Sequence, residues 1–289
     1  MNLRIVFKIF AFAAAFVLSV LITPQTNVSV TDEPNLIFET VSTVKTVPAA
    51  PQIVSVKPEV SVCPEDNTKC WIAKYTEDIR IDPADIEAYE KRADLYESLE
   101  DYQNALKDYT KLAKLDPDEI YYVYCSGFAY YKLNKLDKAL ADFNKVIAAD
   151  PEYASGYDGR AGVYAEKKMY KQAFKDYRKA LELDPESSIT FFNRGNTYEE
   201  VKQYDKAIED FTEAVTLDPE NADAYFNRGD VYETKGEFES AIDDFNKYLE
   251  YKNTCDAYQR LADLYKKIGD TENAELNQKL ANNANDSEY

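Results

Sequence analysis

The sequence of 289 residues contains no histidine and only eight glycines. The missing histidine excludes Ser–His and Cys–His catalytic triads and every metal site with an imidazole ligand. None of the glycines lies in a phosphate-binding loop or a GxGxxG turn. The spacing of a calcium-binding EF-hand loop is also missing. We therefore expect neither a cofactor nor a metal site.

Positive charge is scarce as well. The chain has 34 Lys and Arg residues against 53 Asp and Glu residues, which gives a formal net charge of −19. The acidic excess lies after residue 75, because residues 1–75 contain six residues of each sign. An acidic surface repels phosphate backbones, so nucleic-acid binding is not expected, and a basic or neutral partner suits the chain better.

Residues 1–25 are typical of an export segment. Arg4 and Lys8 come before an apolar run over residues 9–22. That length fits the apolar core of a signal peptide and is short for a spanning helix. If the Lys8 side chain reached the membrane interface, residues 5–22 would form an uncleaved anchor. Either alternative predicts a periplasmic, extracellular or membrane-anchored protein, with membrane contact only through this segment.

Residues 26–62 are predicted to form an extended linker. Several prolines interrupt a stretch that is rich in Val and Thr, and closely spaced prolines break both helices and strands. A small β-hairpin is the alternative, because part of the stretch alternates apolar and polar residues. Cys63 and Cys70 follow, and in an oxidising compartment they could close a disulfide loop; two free thiols are the alternative.

An internal repeat begins after the linker. Asp-Pro recurs every 34 residues, and the same residue types return between the prolines. With position 1 set at residues 86, 120, 154, 188 and 222, positions 8 and 20 are small, position 11 is Tyr and position 24 is aromatic. Position 8 is Ala93, Gly127, Ala161, Gly195 and Gly229; position 11 is Tyr96, Tyr130, Tyr164, Tyr198 and Tyr232; position 24 is Tyr109, Phe143, Tyr177, Phe211 and Phe245.

This pattern resembles the tetratricopeptide repeat (TPR) family. The resemblance implies an all-α fold, a right-handed superhelical solenoid of about five to six helix-turn-helix repeats after the export segment and the Pro-rich linker. The apolar positions fall on one face of each helix, A and B, of a repeat. A single repeat cannot cover its own apolar face, so stability comes from stacking.

The predicted boundaries follow from the repeat frame. A lone helix B that carries Trp71 and Tyr75 is predicted to cap the N-terminal end within residues 63–85. The last repeat is predicted to be a capping repeat with a polar second helix, followed by a polar tail over residues 282–289. The repeats, within a solenoid over residues 86–281, are predicted at 86–119, 120–153, 154–187, 188–221, 222–254 and 255–281.

In the TPR family, helix A lines a concave groove with positions 2, 5, 9, 12 and 13, which we call the groove face. Repeat 1 is nearly all acidic at these positions, and repeat 2 is mostly aromatic. Gly159 and Gly162 are expected to leave a hollow beside Tyr124 and Phe128. The predicted groove residues are Tyr121, Tyr124, Phe128, Tyr131, Asp158, Phe192, Asn196, Glu199, Phe226, Asn227, Asp230 and Glu233.

An apolar patch on an exposed face is typical of a binding surface, and aromatic side chains dominate binding hot spots. We therefore expect an acidic groove with an aromatic floor that binds a protein or peptide with apolar and basic residues. The alternative is that helix A of repeat 2 packs on the linker or on the chain's own tail. The resemblance implies a non-catalytic interaction scaffold or adaptor.

Other functions remain open at this point. In a structural spacer or a self-associating module, the repeats would provide length, and the groove would be filled by another copy of the chain. A hydrolase would need a distinctive carboxylate pair, which the sequence does not offer. The carboxylate clamp of heat-shock co-chaperones is matched by Asn196, Asn227 and Arg260, but Phe192 and Asp256 stand where lysines are required.

Asp recurs at position 23 of five repeats. It is predicted to be a solvated residue of the outer face at the start of helix B, where it would favour the helix dipole. The residues are Asp108, Asp142, Asp176, Asp210 and Asp244.

Overall fold

The computed structural model of the protein describes residues 63–64 and 67–285. The predicted export segment, the anchor over residues 5–22, the linker and the end of the polar tail lie outside these residues. The described part contains thirteen α-helices and no strand. They are α1 (Thr68–Ile81), α2 (Ile86–Ser98), α3 (Tyr102–Leu115), α4 (Ile120–Lys132), α5 (Leu136–Ala149), α6 (Ala154–Glu166), α7 (Tyr170–Leu183), α8 (Ser188–Glu200), α9 (Tyr204–Leu217), α10 (Ala222–Lys235), α11 (Phe238–Tyr251), α12 (Cys255–Ile268) and α13 (Thr271–Asn285).

Each helix packs on the next one along the chain, so the fold is the all-α solenoid that the repeat predicts. The even-numbered helices from α2 to α12 are the A helices of repeats 1 to 6, and the helix that follows each is its helix B. Between residues 68 and 285, no helix combines the length and the apolar character needed to cross a bilayer.

The turns between helices explain where the helices end. Position 15 of each repeat has a left-handed backbone, and Gly236 and Gly269 adopt it without strain at φ values of 81° and 84°. Asn134 takes the same conformation in repeat 2. Each helix B that is followed by Asp-Pro ends at the residue before the Asp, because proline disfavours helical backbone in the residue that precedes it.

Contact between positions 8 and 24 fixes the separation of the two helices in a repeat. A Cβ atom added at Gly195 would lie 2.8 Å from Cε1 of Phe211, and one at Gly127 would lie 3.0 Å from Cε1 of Phe143. Real Cβ atoms do not approach a ring that closely without a shift of one or the other. The small residue therefore lets the buried ring touch the backbone of helix A.

The prediction that the position-23 aspartates are solvated is wrong. All five are buried, and they lie within helix B rather than at its start. Arginine at position 7 of helix A donates two hydrogen bonds to the carboxylate in four of the described repeats. The pairs are Arg92–Asp108, Arg160–Asp176, Arg194–Asp210 and Arg228–Asp244, and the shorter N–O distance in each pair is 2.6–2.7 Å.

Most of these arginines also reach the neighbouring repeat. Arg160 donates from Nη1 to Asn144 Oδ1 of the preceding helix B at 2.8 Å, and Arg92 and Arg228 do the same to threonine hydroxyls. One guanidinium thus connects three helices. Repeat 2 differs, because Ser126 replaces the arginine and shares Asp142 with Lys145.

Buried apolar clusters join most neighbouring repeats. Repeats 1 and 2, 2 and 3, 4 and 5, and 5 and 6 each share at least one such cluster. Val163 and Val231, both at position 10, pack on the position-24 ring of the repeat before them. Across the described residues, no cluster contains buried apolar side chains from both repeat 3 and repeat 4.

The junction of repeats 3 and 4 is more polar because a threonine faces its position-24 tyrosine. Thr197 occupies position 10, and its hydroxyl donates to the Tyr177 hydroxyl at 3.3 Å. A buried tyrosine hydroxyl needs a hydrogen-bond partner, which a valine would not supply. Phe174 and Tyr198 add a stacked ring pair with centroids 4.4 Å apart.

Ahead of the repeats, Cys63 and Cys70 are joined in a disulfide. The Trp71 indole donates to the Pro64 carbonyl at 3.0 Å and stacks on Tyr75. At the other end of the described chain, α13 buries Ala274 and leaves Leu276 exposed. Helix α1 packs on α2 and so covers one end of the stack.

We predict that Asp176→Ala lowers the free energy of unfolding by about 3 kcal/mol or more, because it leaves the Arg160 guanidinium buried without its carboxylate. Replacing both residues by Met and Leu should cost less than the single change. Glu182→Ala, which breaks an exposed pair with Lys179, should change stability by less than about 1 kcal/mol. Urea unfolding followed by circular dichroism measures all three, and equal effects of Asp176→Ala and Glu182→Ala would contradict the prediction.

Candidate binding groove

The aromatic residues at position 5 of the groove face serve two purposes. Tyr124 and Phe192 pack on Phe143 and Phe211, the position-24 rings of their own repeats, with centroids 5.8 Å and 5.9 Å apart. Phe226 packs in the same way on the ring of repeat 5. These position-5 side chains are half-buried. One part of each ring therefore packs on the core, and the other part forms the floor of the groove.

The aromatic row consists of Tyr121, Tyr124, Phe128 and Tyr131 on α4. Only Tyr121 of this row is exposed, at 47%, and it stacks on Tyr124 with centroids 6.4 Å apart. Tyr131 donates from its hydroxyl to Glu166 on α6 at 3.3 Å. The row is therefore less exposed than its sequence suggests, and it is fixed by contacts at both ends.

The two glycines beside this row behave differently. A Cβ at Gly159 would lie 2.5 Å from Cε1 of Phe143, because the ring already fills the space beside this glycine. The prediction of a hollow at Gly159 is therefore wrong. A Cβ at Gly162 would have no neighbour within 4 Å. The open space is therefore confined to Gly162, one helical turn after Asp158.

Asp158 is a buried carboxylate on the groove face, with 9% of its surface exposed. Asn193 of α8 donates to it from Nδ2 at 3.0 Å, and the Thr190 hydroxyl also hydrogen-bonds it. No Lys or Arg of the described chain forms an ion pair with it. Burial therefore raises the pKa of Asp158 to about 6, although the two hydrogen bonds oppose the shift.

Carboxylates of α2 form the wall on the other side of the aromatic row. Burial raises the pKa of both Asp94 and Glu97. The Tyr122 hydroxyl donates to Glu90 at 2.5 Å, which ties α4 to this wall. Glu97 Oε1 is buried and has no hydrogen-bond partner within the described chain.

The acidic residues near the C-terminal end of the groove are paired. Arg260 lies 2.7 Å from Asp230, and both Arg260 and Lys267 bind Glu233. The sequence pattern gave no indication of these pairs, because they join neighbouring repeats. Arg260, the residue that a carboxylate clamp would use, is therefore engaged by acidic groups.

Asn196 and Asn227 also contact each other. Asn227 donates from Nδ2 to Asn196 Oδ1 at 2.8 Å. Glu199 lies near, and burial followed by repulsion from Asp230 raises the pKa of Glu199. The polar groove residues of repeats 4 and 5 thus interact across the junction of these repeats, by the Asn196–Asn227 hydrogen bond and by repulsion between Glu199 and Asp230.

The described residues offer no metal centre, since no three Asp, Glu or Cys side chains are grouped to hold an ion. Cys125 is buried, and that burial raises the pKa of its thiol to about 12. A thiol that stays protonated is a poor nucleophile. Cys125 therefore serves as a buried packing residue between repeats 1 and 2.

Family models of the tetratricopeptide repeat match the chain almost continuously from residue 86 to residue 287. The matches to models described as tetratricopeptide repeat cover 86–119, 121–153, 154–187, 176–209, 222–255 and 256–287, and one described as TPR repeat covers 200–236. No curated protein matches the sequence significantly.

Solved structures with this fold are similar to the chain at low identity. MamA has a TM-score of 0.52 and 24% identity, covering 56% of this chain and 95% of its own. A tetratricopeptide repeat protein from Parabacteroides merdae has a TM-score of 0.54 and 21% identity. The match covers 74% of this chain and 85% of that protein. PilF of Pseudomonas aeruginosa has a TM-score of 0.57 and 20% identity, and the match covers 68% of this chain and 89% of PilF. At these identities the likeness shows the fold alone.

The two glycines of α6 provide a matched pair of substitutions. We predict that Gly162→Ala raises the free energy of unfolding by about 0.5–1 kcal/mol, because alanine favours helix and meets no neighbour. Gly159→Ala should lower it by about 1–3 kcal/mol, because the new methyl group collides with Phe143. Urea unfolding of both variants is the measurement, and a destabilising Gly162→Ala would show that the space is not open.

We predict that Asp158→Asn stabilises the chain by about 1–2 kcal/mol at pH 7.5. The folded state binds a proton at Asp158 near pH 6, whereas an unfolded aspartate binds it near pH 3.9. The contribution of protonated Asp158 to the free energy of unfolding is therefore fully present below about pH 3.9 and is lost as the pH rises through about 6. The advantage of Asp158→Asn should fall by about half at pH 5.

Urea titrations at both pH values measure this difference. Asp118→Asn is the control, because Asp118 is exposed. If the difference between Asp158→Asn and the unmodified chain does not change with pH, Asp158 is already ionised in the folded protein at pH 5.

Proposed function

Because the chain belongs to the tetratricopeptide repeat family, we propose that it is a non-catalytic scaffold or adaptor that binds a protein or peptide partner on its groove face. The observation that carries this proposal is the aromatic row, where the exposed Tyr121 lies beside carboxylates. Aromatic side chains at the centre of a surface with polar edges are typical of binding hot spots. The proposal needs no cofactor, metal or nucleic acid.

The partner would carry apolar anchors together with Lys or Arg. The net charge of −19 steers basic partners toward the surface and repels acidic ones. Half-buried rings contribute apolar area without the large ordering cost of flexible side chains. A basic peptide or protein segment therefore suits this surface better than a terminal carboxylate does.

We also propose that the chain works outside the cytoplasm, exported or anchored by residues 5–22. The apolar run after Arg4 and Lys8 supports export. The disulfide between Cys63 and Cys70 fits an oxidising compartment, where such bonds persist.

Self-association is the second candidate. Leu276 and Leu280 are 51% and 36% exposed on α13, one turn apart on the helix where a further repeat would stack. A second copy could cover them, and the repeats would then act as an assembly module or spacer.

In-cell crosslinking with mass spectrometry on the full-length protein distinguishes the two candidates. The groove variant changes the exposed residues Asp94→Lys, Tyr121→Ser and Glu166→Lys, which spares the rings that pack on the core. The control variant makes the same kinds of change on B helices, at Glu182→Lys, Glu239→Lys and Tyr251→Ser. All six positions are exposed, so both variants should keep the fold, which circular dichroism verifies.

We expect a defined partner to crosslink to the unmodified chain and to the control, and to fall at least about tenfold with the groove variant. Partners that are captured equally by all three forms would contradict the proposed groove. Crosslinks between copies of the chain alone would favour self-association.

A further inference from the structure

Carboxylates on the groove face fall into two groups that differ in their counter-ions. Asp230 and Glu233 have Arg260 and Lys267 as partners. In the described chain, Asp94, Glu97 and Asp158 form no ion pair. Asp230 and Glu233 are therefore neutralised by cations of the chain, whereas Asp94, Glu97 and Asp158 of the first three repeats, like Glu199 of repeat 4, keep negative charge without an ion-pair partner among the described residues.

Two of these three carboxylates are also removed from water: Asp158 is buried and Glu97 is half-buried, whereas Asp94 is exposed beside them. Burial is the largest cause of the raised pKa of Asp94, Glu97 and Asp158. Lys91 only partly offsets this for Asp94, because it acts through space and not by contact. A carboxylate that has lost its water and lacks a cation gains the most from a cationic ligand.

The aromatic row lies between these carboxylates. On one side, Tyr121 is close enough to Asp94 and Glu97 for both to raise its pKa. On the other side, Asp158 raises the pKa of Tyr124 after burial, and Gly162 leaves space beside Asp158. Aromatic faces attract Lys and Arg groups as well as apolar groups.

Resting on the scaffold function proposed above, we propose that recognition is confined to the groove faces of α2, α4 and α6. We call this surface the acid–aromatic–acid site. It fits a partner segment in which two Lys or Arg side chains flank an apolar side chain. One cation binds at Asp94 and Glu97, the apolar side chain lies on the aromatic row, and the second cation enters beside Gly162 to reach Asp158.

The helix spacing sets the distance between the two cations. Packed helices have axes about 8–10 Å apart. Since α2, α4 and α6 meet mainly through the B helices between them, α2 and α6 are separated by at least about 16–20 Å. An extended chain advances about 3.3 Å per residue. The two basic residues of an extended partner are therefore at least about five or six positions apart.

Selection from a phage-displayed library of random twelve-residue peptides on the immobilised full-length chain tests this site. The site variant carries Asp94→Asn, Glu97→Gln and Asp158→Asn. The matched control carries Glu199→Gln, Asp230→Asn and Glu233→Gln, which removes the same charge from the other end of the groove. Each single substitution is selected in parallel, and circular dichroism verifies that the helices are retained.

The unmodified chain and the control should enrich peptides with two basic residues at that spacing around an apolar one. Their enrichment should fall at least about tenfold with the site variant. The inference is overturned if the site variant selects the same basic pairs, or if the control loses them equally. If the unmodified chain selects no peptide, the proposed function itself fails.

Discussion

The whole stack depends on the contact between a buried ring at position 24 and a small residue at position 8. This contact brings the two helices of a repeat close together, as the 2.8 Å approach at Gly195 illustrates. Position-5 side chains of helix A, such as Phe192, pack on the same ring. The floor of the groove is thus built on the same rings that hold each repeat together.

Charged side chains within the repeats differ from those on the groove face in whether they have a counter-ion. Within the repeats, Arg–Asp pairs such as Arg160–Asp176 connect helices and neutralise each other. On the groove face, Asp158 is buried with amide and hydroxyl partners only. The framework therefore holds balanced charge, whereas part of the groove face holds carboxylates without a counter-ion in the described chain.

The sequence predicted the fold well because positions 8, 11, 20 and 24 depend on local spacing alone. It failed for the position-23 aspartates, whose arginine partners lie sixteen residues away on another helix. Arginine recurs at position 7 in four repeats, so the paired recurrence could have revealed them. The filled space at Gly159 and the pairing of Asp230 with Arg260 could not be read in this way, because both depend on how neighbouring repeats stack.

The polar junction between repeats 3 and 4 has a consequence for cooperativity. In a repeat array, neighbours unfold together only when their interface outweighs the cost of forming a boundary between folded and unfolded units. At the junction of repeats 3 and 4, Thr197 contacts Tyr177, whereas at two other junctions a valine packs on the position-24 ring. The interface that couples repeats 3 and 4 is therefore weaker. We therefore expect residues 86–187 and 188–281 to open as two cooperative blocks, each of which can unfold while its neighbour remains folded.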